Sequence, residues 1–423
     1  MATDVDVQYF SHLNGLTLGN NWGDLIRLLD KALVTGIDFT QITAASIDAQ
    51  GDVHITLYSD HNAMLFQVVE LTGFAPASFN QKYRIKGVPS TTELILKPHT
   101  AITETSITTV GAGKLASLGY EIIFRDTNDV KRVYRAKNPR SEHPFIRVDE
   151  SLTSPDGTTG VYTSSYAKYA MVGLLEHMEH IDDFNNPDVL QLPFDQTNPS
   201  KNWNITGTGT ACVRGWSRWY WAHSSSFSSL IAADSSAPTA SNNFCIVGDF
   251  DAFNLLLGVN NQNYKIIYGC GLFNNVDPES ITPQWFLQAT VKDISAGSSL
   301  NSGDAISSNP LTINTIKGSF YATPIEVGRY NHVKVLGILP DYTTGASDAY
   351  PGYNIAALEI PFAGDDGFLR GSLKHICYSY KRLGAFTTPT TMISGSSIYL
   401  ASAVTIATNG TQGGVYLYLG ELE

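Results

Sequence analysis

The sequence predicts a mainly β protein, and three observations carry that expectation. Short apolar runs recur between Gly, Asn, Ser and Pro clusters along most of the chain. Several pairs of such runs flank two- to four-residue polar turns, the pattern of hairpins. Only two stretches repeat their apolar residues at helical spacing. The expected architecture is a small hairpin or barrel-like N-terminal region with one helix, a connecting helix, and a larger β-sandwich-like C-terminal domain.

The N-terminal region is placed at residues 1–150. Its helix is expected over 22–35, where Leu25, Ile26, Leu28, Leu29, Ala32 and Leu33 form one stripe; Asn20 or Asn21 is positioned to cap the start and Gly36 to stop it. Ile47–Leu57 reads as a hairpin turning at Gln50-Gly51. Tyr83–Gly87 and Glu93–Lys97 form a second pair across Pro89-Ser90-Thr91, and 120–124 with 130–136 a third across Asp126-Thr127-Asn128-Asp129. Residues 151–184 are read as a Ser/Thr/Gly-rich link and a second helix, with Ala170, Met171, Leu174, Leu175, Met178 and Ile181 as its stripe and Ser164 or Ser165 as its cap. Residues 185–423 make the C-terminal β domain, with Phe244–Val247, Tyr264–Tyr268, Val333–Ile338 and Val415–Leu419 among its strands. Ser295–Ser308 and Thr343–Ser347 read as surface loops.

Composition narrows the function classes. The 423 residues are 43% hydrophobic and 16% charged, which leaves a surface poor in charge and suited to cover by neighbouring subunits. The net charge of −12 and pI near 5.2 disfavour direct nucleic-acid binding. One local basic cluster, Lys131, Arg132, Arg135, Lys137 and Arg140, reads as a strand whose charges block edge pairing. Cys212, Cys245, Cys270 and Cys377 lie far apart without a CxxC pair, so buried free thiols are expected rather than a disulfide or zinc framework. No run of about 18 apolar residues occurs, and the first residues carry no secretory pattern. Synthesis in the cytoplasm of the producing cell, with no membrane span, is the expectation.

Certain phrases carry a resemblance. Leu71–Ile85 places Gly73 and Phe74 ahead of an Asn80-x-x-Tyr83, followed by a strand and Lys86-Gly87-Val88-Pro89. Asn tolerates the turn, Tyr packs on the sheet, and Gly permits the reversal. Further on stand Lys114–Phe124, Val133-Tyr134-Arg135, Arg147-Val148-Asp149-Glu150, Tyr166–Val172 and, near the end, Gly367–Leu373 with its Arg370-Gly371-x-Leu373. Over the first 180 residues and the last 60, the chain resembles virion structural proteins of tailed bacteriophages, of the tail-tip and baseplate kind. The resemblance implies a virion location after synthesis in the host bacterial cytoplasm. It implies assembly with further copies, as a trimer or hexamer, and with other virion proteins. No enzymatic activity and no cofactor are implied. A receptor- or glycan-binding tail module and a head-decoration or collar protein are the alternatives.

Candidate chemical sites are few. His177 and His180, i and i+3 on the expected second helix, would be weak metal ligands with Glu176 or Asp183; the HExxH spacing is absent. Asp365-Asp366, and Asp249 with Asp251, invite a glycan-hydrolase reading, against the more common role of acids in turns. No Gly-x-Ser-x-Gly elbow occurs, and Gly111-Ala112-Gly113 lacks the Lys-Ser/Thr of a phosphate loop. Trp216-Ser217-Arg218-Trp219-Tyr220-Trp221 is the most unusual segment. Trp216, Arg218, Trp219 and Trp221 are candidates for a partner or glycan contact, with core packing as the competing role; strand alternation would send Trp219 and Trp221 to one face.

Overall fold

The computed structural model describes residues 3–160, 168–209, 212–222, 241–258, 265–276, 283–292, 305–306, 320–323, 333–337, 355, 357–364, 367–379, 383, 386–405 and 412–422. Among these residues it is mainly β, with multiple sheets and a single short α-helix. No helix among the described residues is long and apolar enough to cross a membrane.

A 7-stranded sheet holds the N-terminal hairpins, in the order Ile37–Asp38, Ala112–Leu115, Val68–Thr72, Lys82–Ser90, Glu93–Pro98, Val53–Leu57, Ile42–Ile47. The turn at Gln50-Gly51 is built by Asp48, whose carboxylate accepts the N–H groups of Gln50 and Asp52 at 2.9 Å each, while Gly51 takes φ 79°. The Lys82–Ser90 strand runs on through Pro89 with two register shifts, so its turn falls at Thr91-Thr92, later than the sequence suggested. Asn80 closes its loop reciprocally: Oδ1 accepts from Phe74 N at 2.7 Å and Nδ2 donates to Phe74 O at 2.9 Å. Tyr83 is buried on the sheet and donates to Phe79 O at 2.7 Å.

An 8-stranded sheet follows, in the order Ala305–Ile306, Thr290–Lys292, Ser217–Ala222, Lys168–Leu175, Phe145–Asp149, Lys131–Ala136, Tyr120–Arg125, with Gln191–Leu192 attached to Lys168–Leu175. The expected second helix is therefore a strand. Every residue of Lys168–Leu175 is buried, so both faces carry apolar side chains and no alternation betrays the strand. Gly173 lies directly under the Trp203 ring, where an added Cβ would come within 2.7 Å of it. The Ser164 or Ser165 cap lies outside the described residues.

A 13-stranded sheet runs from Gln8–Ser11 and Phe244–Gly248 to Ser397–Thr405 and Thr390–Ser394, and Ile205–Thr206 pairs with Val213–Arg214 in a separate 2-stranded sheet. A parallel bridge between Lys265 and Val404 joins two strands of the 13-stranded sheet and closes its path on itself. These sheets do not follow the expected division at 150 and 184. Gln8–Ser11 pairs with Phe244–Gly248, and the 8-stranded sheet unites residues from all three regions. Arg84, fully buried, ties them further: its guanidinium donates to Asp4 O, Val7 O, Phe66 O and Leu419 O at 2.7–2.9 Å. The expected loops at Ser295–Ser308 and Thr343–Ser347 lie almost wholly outside the described residues.

The helix α1, Asp24–Leu29, continues into a π-helical turn over Asp30–Thr35 that stops at Gly36 with φ 73°. All six stripe residues are buried. Its N-cap is Gly23, not an asparagine, and the cap group comes from far along the chain. Glu150 accepts the N–H of Gly23 with one oxygen and that of Ile26 at 3.0 Å with the other.

Candidate functional site: a polar groove beside the helix cap

A groove of about 920 Å³ opens among the described residues. One wall is the Asp126–Lys131 hairpin tip, a second the segment Asp149–Pro155, and a third the stretches around Asp182–Asn185 and Ser200–Thr206. The hairpin tip is set by Asp126, which accepts the N–H groups of Asn128, Val130 and Lys131 at 2.8–3.2 Å. The floor is Arg147. Its buried guanidinium lies between the rings of Phe184 and Trp203, at 4.9 and 4.4 Å from their centroids. It also binds Asp149 at 3.0 Å, Asp182 at 2.6 Å and Ile181 O at 2.8 Å.

Charge inside the groove is nearly balanced. Lys131 and Arg147 face Asp126, Asp149, Glu150 and Asp182. Burial pushes the Glu150 carboxyl up to about 8, against the opposing hydrogen bonds from Gly23 and Ile26, so it is protonated at neutral pH. Burial also acts to raise Asp182, but Lys131 and Arg147 outweigh it and hold that carboxyl below its usual range. The groove can therefore receive a neutral, hydroxyl-bearing ligand more readily than an anion. Thr127, Asn128, Ser154, Asn185, Asn204 and Thr206 supply neutral hydrogen-bonding groups on its rim.

None of the contact residues expected from sequence lines this groove. Trp216, Arg218, Trp219 and Trp221 are all buried inside the subunit, which corrects their reading as a contact surface. Trp219 and Trp221 do share one face, in the central core, while Tyr220 packs on the other. Trp219 stacks on Tyr268 with centroids 6.1 Å apart and donates to Gln288 O at 2.8 Å. Trp221 meets Trp22 edge-on at 5.5 Å. Arg218 lies over the Tyr169 ring at 4.3 Å and donates to Gly215 O and Tyr220 Oη. The strand is buried on both faces because its sheet is covered on both sides.

His177 and His180 are not on a helix; they sit in the loop after Lys168–Leu175. His177 is 60% exposed with Glu179 at 3.7 Å, and His180 Nδ1 accepts the N–H of Asp182. No group of metal-ligating residues forms among the described residues. Asp365 and Asp366 lie outside the described residues.

Asp249 and Asp251 sit in a tight ionic node. Asp251 binds His143 and Arg140 at 2.8 Å each and Lys374 at 2.6 Å. Burial acts to raise its pKa, yet these partners hold it well below the carboxylate range. His375 stands 3.2 Å from Asp249. The basic cluster is likewise paired: Lys131 with Asp182, Arg132 with Asp30 and Asp129, Arg140 with Glu142 and Asp251, and Arg135 over the Phe145 ring at 4.5 Å. Lys137 is exposed. Cys212, Cys245 and Cys270 are buried free thiols and Cys377 a half-buried one. Burial pushes Cys245 up to about 12 and Cys377 up to about 11, so neither is a reactive thiolate at neutral pH.

The groove was legible only in fragments. The Asp126 turn and the Arg147-Val148-Asp149-Glu150 run stood out in sequence, but nothing linear joins them to Phe184 and Trp203. No family model matches the chain, and no curated protein matches it.

Proposed function

We propose that the chain is a structural subunit of a tailed-phage virion, in the tail tip or baseplate, acting by assembly with further copies and with other virion proteins rather than by turnover. The observation that carries the reading is how the reactive-looking residues are used. Asp249, Asp251, His143, His375, Arg140 and Lys374 come from three separate stretches of chain and bind one another, so they hold sheets together. A carboxyl held as low as that of Asp251 is no general acid, which a glycan hydrolase requires. His143 accepts the N–H of Arg140 with Nδ1 and donates to Asp251 with Nε2, which commits both ring nitrogens. The phage-like phrases at 71–85 and 114–150 add the particle context.

Light scattering on the purified chain, and peptide mass spectrometry on purified particles, test the reading. A trimer or hexamer, and recovery of the chain in stoichiometric amount from virions, are expected. A chain that stays monomeric at tens of micromolar and is absent from particles would overturn it.

A second reading, a receptor- or glycan-binding module, is favoured by one feature, the neutral hydroxyl- and amide-rimmed groove above Arg147. A glycan array would show selective neutral oligosaccharide binding that Asn185→Ala with Asn204→Ala abolishes; an empty array excludes it.

A further inference from the structure

We infer that the free edge of the 7-stranded sheet, Ile42–Ile47, pairs antiparallel with the same strand of a second copy, with Ala45 opposite Ala45 across a twofold axis. The inference rests on the assembly reading above and names the surface it uses.

The hydrogen-bond phase of the sheet fixes which backbone groups face outward. Asp48 N donates to Asp52 O at 3.0 Å, so Asp48 opposite Asp52 is a hydrogen-bonded pair. Such pairs alternate along an antiparallel ladder. Ser46 opposite His54 and Ala44 opposite Thr56 are therefore bonded, and Ala45 and Ile47 are not. The next ladder agrees. Leu57 N donates to Thr92 O at 2.8 Å, which turns Leu57, Ile55 and Val53 toward Glu93–Pro98 and leaves Thr56 and His54 for Ile42–Ile47. The N–H and C=O of Ala45 and Ile47 thus point away from the sheet, where no described strand lies.

An exposed edge of this kind is ordinarily blunted by Lys, by Pro or by a bulge in its middle. Ile42–Ile47 reads Ile-Thr-Ala-Ala-Ser-Ile and has neither charge nor proline. Its one irregularity lies between Ile42 and Ala44, which leaves 44–47 regular. Two other described edges are protected. Gln8–Ser11 is fully buried, and Tyr120–Arg125 carries Glu121 and Arg125. Thr390–Ser394 is also uncharged, but much of the chain before it is outside the described residues.

The occupant follows from charge and shape. Two copies of a chain with net charge −12 repel in general, so a copy-to-copy contact favours a locally neutral surface. Self-pairing about Ala45 sets Ile47 opposite residue 43 and Ser46 opposite Ala44 of the second copy, with no charged pair in the strand. Exposed Thr43, Ala44 and Ser46 are small enough to let two strands close to the usual spacing of about 4.8 Å. Tyr58, 77% exposed, is bonded to Gln41 through its N–H at the strand's end and extends the contact. A twofold contact combined with a threefold one gives a hexamer, so this edge fits the hexamer and not a lone trimer.

The test uses the full chain in sedimentation or light scattering over a concentration series. Ala45→Pro deletes an N–H that makes no bond within the subunit, and Ser46→Lys adds an edge charge without touching the ladder. Each is expected to weaken self-association at least tenfold while melting near the wild-type temperature, and Ala45→Val, which keeps the N–H, is expected to associate normally. If the wild type assembles and neither Ala45→Pro nor Ser46→Lys changes it, the edge inference fails and the assembly reading stands. If the wild type is monomeric throughout, both fail.

Discussion

Asp251 Oδ1 accepts from His143 Nε2 at 2.8 Å, and the ring is held at its other nitrogen too, because His143 Nδ1 accepts the N–H of Arg140. His143 belongs to the segment between the Lys131–Ala136 and Phe145–Asp149 strands of the 8-stranded sheet, and Asp251 to the turn between Phe244–Gly248 and Ala252–Gly258 of the 13-stranded sheet. With Lys374 and Arg140 on the same carboxylate, one side chain joins two sheets.

Asp251→Ala is therefore expected to destabilise the fold by about 3 kcal/mol, the lower end for removing one partner of a buried ionic group, because Arg140 is half exposed and can rehydrate. Urea denaturation measures it. A loss below about 1 kcal/mol would show that the node contributes little.

Trp219→Ala removes a fully buried indole that stacks on Tyr268 and meets Phe253 edge-on. A loss of about 3–5 kcal/mol is expected. Any protein that remains folded is expected to show the wild type's oligomeric state and glycan-array profile, whatever these are, since the ring reaches no surface. A specific loss of partner binding at unchanged stability would contradict its burial.

What the sequence made legible follows from how local each signal is. The Asp48 and Asp126 turns and the Asn80 loop are closed by side chains bonding to backbone a few residues away, so residue type at a short offset suffices to read them. The six buried stripe residues of the 22–35 helix are equally local. Lys168–Leu175 was misread because its two faces are buried by remote partners, Trp203 over Gly173 on one side and the central core on the other. Glu150 as the cap of α1, more than a hundred residues away, leaves no linear trace, and the same is true of Arg147 between Phe184 and Trp203. The Trp216–Trp221 segment showed its alternation correctly but not its depth, since alternation says nothing about what covers each face.

Glu150 gives the fold a distinctive pH dependence. Its folded pKa is raised to about 8 from 4.5, so between these values the folded state holds a proton that the unfolded state has released. Stability is then expected to fall as pH rises from 4.5 to 8, by up to about 1.4 kcal/mol per pH unit, and to level off above. Glu150→Gln cannot ionise and is expected to remove this slope, although its amide replaces one of the two acceptors for Gly23 and Ile26. Denaturant midpoints for both proteins at pH 5, 6.5 and 8 check it, and parallel curves would assign the slope to other groups.

Lys265 predicts the opposite slope at higher pH. Its amine is buried, donates to Thr387 O and Ser402 Oγ at 2.9 Å each, and is pushed down to about 8 from 10.5 by burial, with Cys245 opposing weakly. Below pH 8 the folded chain carries a desolvated ammonium. Between 8 and 10.5 the folded state has shed that proton and the unfolded state still holds it, so stability is expected to rise with pH across this window. Lys265→Met keeps most of the volume and drops the charge. It is expected to flatten the rise and, at pH 7, to change stability less than the loss of two hydrogen bonds alone implies, because the desolvation cost of the ammonium disappears with them. Thermal melts of both proteins at pH 7, 8.5 and 10 decide the matter; a rise of equal size in the variant would place its origin in a different group.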